Sequence, residues 1–332
     1  MIIITIDKND AGQRLDRFLR KYLHRAPLSM IYRMIRRDVK VNGRRAEQKT
    51  VLKEGDELIL YMSDEQLGRL TEIKNSQPAA KRTFRIIYED DGILIVNKPA
   101  GLLTHGDSRE KKNTLVNQVI DYLIRKGEYV PRQEKSFTPA AANRLDRNTS
   151  GMVLFGKDAE TLRDLSAMIR ERGCIEKHYM TVVKGIFPES RILTGKAEKD
   201  EKHNRVMIRG EDSEKGRLVV TEATPLASGG DMTLLDINLV TGRTHQIRAH
   251  LASEGFPVAG DVKYGDPLLN RRLLSEYGLK SQFLHAFRLD FTKTAGSLSR
   301  LQGRSFTDPL PDTLGKMADQ LFGDGWKYVY RI

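Results

Sequence analysis

The 332-residue chain has one cysteine, Cys174. A single thiol excludes an intrachain disulfide framework and a cysteine-rich zinc site, and it fits a reducing compartment. A cytoplasmic location is therefore expected. No run is apolar enough to span a bilayer, and the opening stretch Met1–Asp7 is too short for a signal segment. No membrane partner is expected. Glycine-rich nucleotide loops, internal repeats and long low-complexity tracts are also missing. His245 and His250 are five positions apart, so they do not share a helix face as an i,i+4 ligand pair would. No further residue at ligand spacing lies near them, and no metal is expected. Acidic residues are in deficit, 44 against 56 Lys and Arg, which leaves a net charge of +12. That excess favours a polyanionic partner, most often nucleic acid.

What is present suffices for real cores: 39% of residues are hydrophobic, and 30% are charged. The length favours two domains over one. The first, residues 1–62, opens with a strand near Ile2–Ile6. A helix from Arg14 to Leu23 follows, with Leu15, Phe18, Leu19, Tyr22 and Leu23 at helical spacing. Asp16 reads as a solvated residue or an i,i+4 partner of Arg20. A second helix is expected after Pro27, capped by Ser29, with Met30, Ile31, Met34 and Ile35 inward. Val39-Lys40-Val41 then enters an Asn42-Gly43 hairpin turn. Arg33, Arg36, Arg37, Lys40, Arg44 and Arg45 come from neighbouring elements. They are either a solvated face or one binding patch. Residues 63–82 are polar and aperiodic, and read as a flexible linker.

The second domain, residues 83–332, mixes strands and helices without regular alternation. An α+β fold with a mostly antiparallel or mixed sheet and flanking helices is expected. Strands are read at 84–89, 93–98 and 175–183, and helices at 114–126, stopped by Gly127, and after a cap at Asp158. The charged stretch 195–217 reads as an exposed hairpin insert. Leu239-Val240 reads as a strand, and Thr244 as the cap of a helix burying Ile247 and Leu251. Arg243 and His245 then stand at the strand-to-helix junction, with Arg248 one turn on.

The most informative stretch is Asn143-Arg144-Leu145-Asp146-Arg147-Asn148-Thr149-Ser150-Gly151. It flanks one carboxylate with two guanidinium groups, which favour the anion. It also lies in a loop entering the apolar run Met152–Phe155, where functional groups tend to collect. A loop carboxylate of this kind can serve as nucleophile or base. The tetrapeptide alone decides nothing, because Arg14-Leu15-Asp16-Arg17 repeats it in a helix. By the same plain reading, Tyr179 is a strand tyrosine at the core edge, and Arg248 a surface helix arginine.

Two resemblances sharpen this. Arg14–Leu19, the basic second helix, Val39–Gly43 and Gly55-Asp56 make the first domain similar to S4-type RNA-binding domains. That resemblance implies contacts to structured RNA through Arg33, Arg36, Arg37, Lys40, Arg44 and Arg45. The second domain resembles the RluA-like pseudouridine synthases. It does so through Asn97-Lys98-Pro99-Ala100-Gly101, Arg144–Gly151, Lys177-His178-Tyr179 and Gly242-Arg243-Thr244-His245-Gln246-Ile247-Arg248-Ala249-His250-Leu251. Asn143 departs from the histidine common there, which touches a local hydrogen bond rather than the reacting groups.

The family resemblance implies isomerisation of a flipped-out uridine with no cofactor, and the S4-like domain in front resembles the members that act on large-subunit ribosomal RNA. It implies Asp146 as essential carboxylate, Tyr179 stacked on the uracil, and Arg248 paired with Asp146. Arg144 would fill the space left by the base, and Arg147, Arg243 and His245 would bind substrate. A monomer is expected. Two other readings stay open: a catalytically silent RNA-binding ribosome assembly factor, and a nucleoside or glycoside hydrolase, which usually needs a second carboxylate.

Overall fold

The computed structural model describes residues 1–71, 81–131, 135–200, 203 and 205–329. The fold is α+β with a large mixed sheet. A smaller amino-terminal unit comes first: β1 (Ile2–Thr5), α1 (Leu15–Tyr22), α2 (Leu28–Arg37), β2 (Val39–Val41), β3 (Arg44–Arg45), β4 (Glu57–Leu60) and α3 (Asp64–Thr71). Its antiparallel sheet runs β1-β4-β2-β3. The apolar stripe of α1, Leu15, Phe18 and Leu19, closes against Ile31, Met34 and Ile35 of α2 and Ile4, Leu58 and Leu60 of the sheet. Asn42 (φ 51°) and Gly43 (φ 72°) both adopt left-handed backbone. Two such residues in a row make a turn whose twist matches the flanking strands.

Three local expectations change. Ser29 lies inside the first turn of α2, and Pro27 occupies the cap position with no side-chain bond. The proline ring itself sets the entry φ. Asp16 is buried and paired with Arg14, at 3.0 and 2.5 Å, rather than with Arg20. The linker expected over 63–82 is partly structured. Ser63 and Gln66 cap each other's backbone N–H at 3.2 and 3.1 Å, and Leu67 and Leu70 of α3 pack on the amino-terminal core. Gly68 within this short helix weakens its sequence signal. At the far end, the Arg82 guanidinium lies 4.9 Å from the Phe84 ring centre, joined to the larger unit. Only 72–80 of that expected linker lie outside the described residues.

The larger unit continues with β5 (Arg85–Glu89), β6 (Ile93–Lys98), α4 (Leu115–Lys126), β7 (Ala140–Ala141), β8 (Ser150–Gly156), α5 (Ala159–Arg170) and β9 (Ile175–Lys184). Then come β10 (Arg191–Asp200), β11 (Arg205–Arg209), β12 (Arg217–Gly229), β13 (Met232–Asn238) and α6 (Gln246–Ser253). Next come α7 (Pro267–Tyr277), β14 (Leu284–Phe291), β15 (Ser305–Thr307) and α8 (Asp312–Phe322), followed by a short 3-10 helix at Gly325–Val329. The sheet order is β11-β10-β12-β13-β9-β14-β8-β6-β5, with β15 on β14 and β7 on β8. β8 and β14 run parallel.

Helices cover both faces, which explains the unbroken apolar runs. Along β6, Leu94 and Val96 belong to the core on the α4 face, while Ile93 and Ile95 belong to the core on the α5 face. Met152 and Leu154 alternate with Val153 and Phe155 in the same way on β8. Thr114 and Asp158 cap α4 and α5 through their side chains, and Gly127 closes α4 in left-handed backbone. Among the described residues, no helix is long and apolar enough to cross a membrane.

The stretch read as an exposed hairpin insert does form a hairpin, and that hairpin is the edge of the large sheet. β10 and β11 form an antiparallel hairpin, Val206 is buried, and α6 packs against β11. Leu239-Val240 lies past the end of β13. The two units also touch through polar contacts. Lys135 pairs with Asp7 at 2.8 Å, Ser136 donates to Asp10 at 2.5 Å, and Arg163 donates to the Ala11 carbonyl at 2.9 Å.

Gly151 marks a very close approach of β8 to β14. Its φ is +114°, and an added Cβ would stand 2.3 Å from the Ala286 carbonyl oxygen on β14. Gly151→Ala is expected to cost more than about 3 kcal/mol of stability, from clash and forbidden backbone together. Chemical denaturation measures it; an unchanged midpoint would mean that β14 moves aside freely.

Candidate active site

The loop carrying Asp146 is held from below by backbone contacts. Thr104 Oγ1 donates to the Leu145 carbonyl at 3.0 Å and accepts the Leu145 N–H at 3.2 Å. The buried Lys98 ammonium donates to the carbonyls of Pro99 (3.0 Å), Leu102 (2.8 Å) and Arg147 (3.0 Å), tying the end of β6 to this loop. Asn143 accepts the Leu154 N–H at 2.8 Å, which anchors the loop to β8. The Asp146 side chain is left at the floor of a cleft, about one-fifth exposed (21%).

Arg248 reaches that carboxylate from α6. Its Nη1 donates to Asp146 Oδ2 at 2.9 Å. Its Nε and Nη2 donate to Asp261 Oδ2 and Oδ1 at 2.6 and 2.8 Å, a bidentate pair. Asp261 is fully buried and also accepts the backbone N–H groups of Lys263 and Tyr264, at 2.8 and 3.1 Å. The start of α6 is unusual. His245 occupies the cap position with φ 54°, and no side-chain bond caps the helix, so Thr244 is not the cap expected from the sequence. Gln246 closes the turn instead: its Oε1 accepts from Thr241 Oγ1 at 2.8 Å and from the Arg243 N–H at 3.1 Å. His245 Nε2 lies 3.9 Å from Asp146 Oδ2.

Arg144, Asp146, Tyr179, Arg243, His245 and Arg248 line one cleft open to solvent. Tyr179 comes up from β9, where it is almost wholly buried. Arg147 is not among them; it turns away to pair with Asp107 at 3.0 Å. The expected guanidinium flank of Asp146 is therefore supplied by Arg248, 102 residues further on, rather than by Arg147. The exposed Arg33, Arg36 and Arg37 lie on α2, and Arg44 and Arg45 on β3, away from the cleft lining. None of these five forms an ion pair among the described residues. Lys40 sits with its ammonium 5.4 Å from the Tyr61 ring centre.

Burial sets the protonation of the groups around the cleft. It pushes the Lys98 ammonium down to about 7, with the Asp146 charge opposing. It raises the Tyr179 hydroxyl far above its ordinary value, and the Asp146 charge adds to the rise. It lowers the His245 imidazole, against the pull of Asp146, so the ring is neutral at pH 7. Burial also pushes the Asp261 carboxyl up, but the hydrogen bonds and charge of Arg248 outweigh it and hold Asp261 below the usual range.

Sequence reasoning missed Asp261 and Tyr264 and assigned no role to Lys98. Asp261 stands in a loop 13 residues after Arg248, with no local pattern to mark it. Glu176, His178 and Asp290 also cluster elsewhere on the sheet. There His178 Nδ1 lies 3.0 Å from both Asp236 oxygens, and Arg288 pairs with Asp290 at 2.8 Å, so these charges compensate one another.

Comparison with known proteins agrees with this architecture. A family model described as RNA pseudouridylate synthase matches residues 92–253. Ribosomal large subunit pseudouridine synthase C of Vibrio vulnificus is 34% identical over 96% of this chain and 96% of its own. The protein of that name from Escherichia coli K12 is 35% identical over 90% of this chain and 92% of its own. Among solved structures, human RNA pseudouridylate synthase domain containing 4 superposes with a TM-score of 0.54 at 21% identity, covering 71% of this chain and 92% of that one. That last likeness speaks to the fold.

Removing one member of the buried pair strands the other. Asp261→Asn is expected to cost about 3–5 kcal/mol, and Asp146→Asn, at the cleft surface, clearly less. The Asp261 contribution is complete above the unfolded value near 3.9 and is lost as pH falls through the lower folded value. Acidification below about pH 4 should therefore destabilise the wild type more steeply than Asp261→Asn. Denaturation at several pH values reads both effects.

Proposed function

The chain belongs to the RNA pseudouridylate synthase family, and on that premise we propose that it isomerises uridines of large-subunit ribosomal RNA with Asp146 as the reacting carboxylate. The observation that carries this reading is the 2.9 Å pair of Asp146 and Arg248 in a cleft that Tyr179 also lines. In this reaction the C1′–N1 bond breaks, the uracil turns in place, C5 bonds to C1′, and the C5 proton is replaced by one on N1. Atoms and electrons balance within the nucleotide, so the reaction consumes no cosubstrate. The base must leave its stack to enter the cleft.

Each neighbour then has a physical task. Asp146 Oδ2 is fixed by Arg248, and among the described residues Oδ1 has no hydrogen-bond partner, which leaves it for the substrate. Tyr179 stays a phenol, suited to stacking on the uracil and relaying a proton rather than acting as a phenolate. Arg144, exposed at the rim, is placed to stack where the base has left. Arg243 and His245 contact the nucleotide. The amino-terminal unit, residues 1–62, acts as an S4-like RNA-binding domain through Arg33, Arg36, Arg37, Lys40, Arg44 and Arg45. The protein works as a monomer in the cytoplasm. A hydrolase reading fits less well: the second carboxylate near Asp146 is Asp261, and it is saturated by Arg248 and fully buried.

Asp146→Asn is expected to lower kcat at least about a thousandfold, with RNA affinity changing less than about threefold because phosphate contacts carry binding. Retained turnover on ribosomal RNA would overturn the assignment. Replacing Arg33, Arg36, Arg44 and Arg45 together by Gln should raise KM and spare kcat. It should also flatten the salt dependence of binding by about 0.9 for each phosphate that is no longer neutralised. An unchanged salt slope would remove the RNA role of this face.

A further inference from the structure

Tyr264, which the sequence did not single out, touches Asp261, Arg248 and His245 at once. Its backbone N–H donates to Asp261 Oδ1 at 3.1 Å, so it is fixed to the loop that holds Arg248. Its ring has the Arg248 guanidinium 5.3 Å from the centre and the Arg205 guanidinium at 5.8 Å. Its Oη accepts the Val206 N–H of the edge strand β11 at 2.8 Å. The same Oη lies 3.0 Å from His245 Nδ1.

These contacts fix a proton. A phenol has one hydrogen, and its oxygen is already accepting from Val206, so the hydroxyl is free to donate to Nδ1. A neutral imidazole that accepts at Nδ1 carries its hydrogen on Nε2. Nε2 is the nitrogen that lies 3.9 Å from Asp146 Oδ2. The opposite arrangement, with Nδ1–H donating to Oη, would set a bare Nε2 lone pair against a carboxylate. Two acceptors facing each other repel, so the first tautomer is favoured. The left-handed backbone at His245 and the Gln246 turn hold the ring where this bond can form.

We propose that Tyr264 is a positioning residue for the isomerisation: through Oη it fixes His245 as the Nε2–H tautomer and aims an N–H donor at Asp146 and the bound nucleotide. The proposal rests on the reading of this cleft as the active site. It is nevertheless tested on the resting protein, independently of which carboxylate reacts.

Tyr264→Phe removes Oη and keeps the ring between its two cations. The imidazole nitrogens of His245 are read by 15N NMR of the full chain without RNA, assigned by the signals that vanish in His245→Gln. The wild type should show a protonated Nε2 and a bare Nδ1. Tyr264→Phe should show the two tautomers averaged, with kcat about tenfold lower, KM nearly unchanged and Tm lowered by only a few degrees as the Val206 N–H loses its acceptor. A wild-type ring protonated at Nδ1 would overturn the proposal. So would a Tyr264→Phe variant whose His245 signals and kcat match the wild type, or one that loses Tm and kcat while the His245 signals stay as they were. Failure of the Asp146→Asn test with the expected tautomer would instead remove the active-site assignment and leave the tautomer in place.

Discussion

A buried cation shared by two carboxylates is the constraint from which the cleft follows. Arg248 lies on a helix whose residues Gln246–Leu251 are all buried, so its charge needs partners within reach. Asp261 takes two of its nitrogens and is itself held by two backbone N–H groups. That leaves Nη1 for Asp146, which is gripped by one oxygen only. The asymmetry matters. A carboxylate saturated on both oxygens is structural, as Asp261 is. One fixed on a single oxygen keeps its orientation and retains an acceptor for something else.

The backbone around Asp146 is built to the same end. Lys98 gathers three carbonyls from two loops, and Thr104 both donates to and accepts from Leu145. These bonds fix the main chain on either side of Asp146 without touching its side chain. Below them, Gly151 lets β8 approach β14 more closely than any side chain would allow. The parallel pairing of Ser150 with His285 and Gly151 with Ala286 brings β8 beside β14, whose other neighbour β9 carries Tyr179. The loop and the strand that supply Asp146 and Tyr179 are thus brought together by sheet order, and Arg248 joins them from α6 through its bond to Asp146.

Sequence showed those parts of the chain whose physics is local. The Asp158 cap, the Gly127 stop and the Asn42-Gly43 turn are read from a few neighbouring residues, and each forms. Asp146, Tyr179 and Arg248 were reached through motifs rather than through any local rule. What stayed hidden is long-range. Asp261 and Tyr264 gain meaning only when their loop meets α6. The hairpin expected over 195–217 forms, but its place as the edge of the large sheet, with α6 packed against β11, depends on residues far along the chain. The cap expected at Thr244 failed because His245 takes a left-handed backbone, which few side chains adopt and which the Gln246 bonds sustain.

The same separation of local and long-range applies to charge. The exposed arginines of α2 and β3 have no carboxylate partners among the described residues, while the charges at the cleft floor are mutually compensated. Uncompensated surface cations attract phosphates at range; compensated buried ones orient a few atoms. For the two to serve one RNA, their spacing has to be held. The Asp7–Lys135, Asp10–Ser136 and Ala11–Arg163 contacts do this by seating the amino-terminal unit directly on the larger one. A chain joined only through its linker would present binding face and cleft at a varying distance. The two units are thus in direct contact, which is the arrangement that the proposed reading of one RNA on both requires.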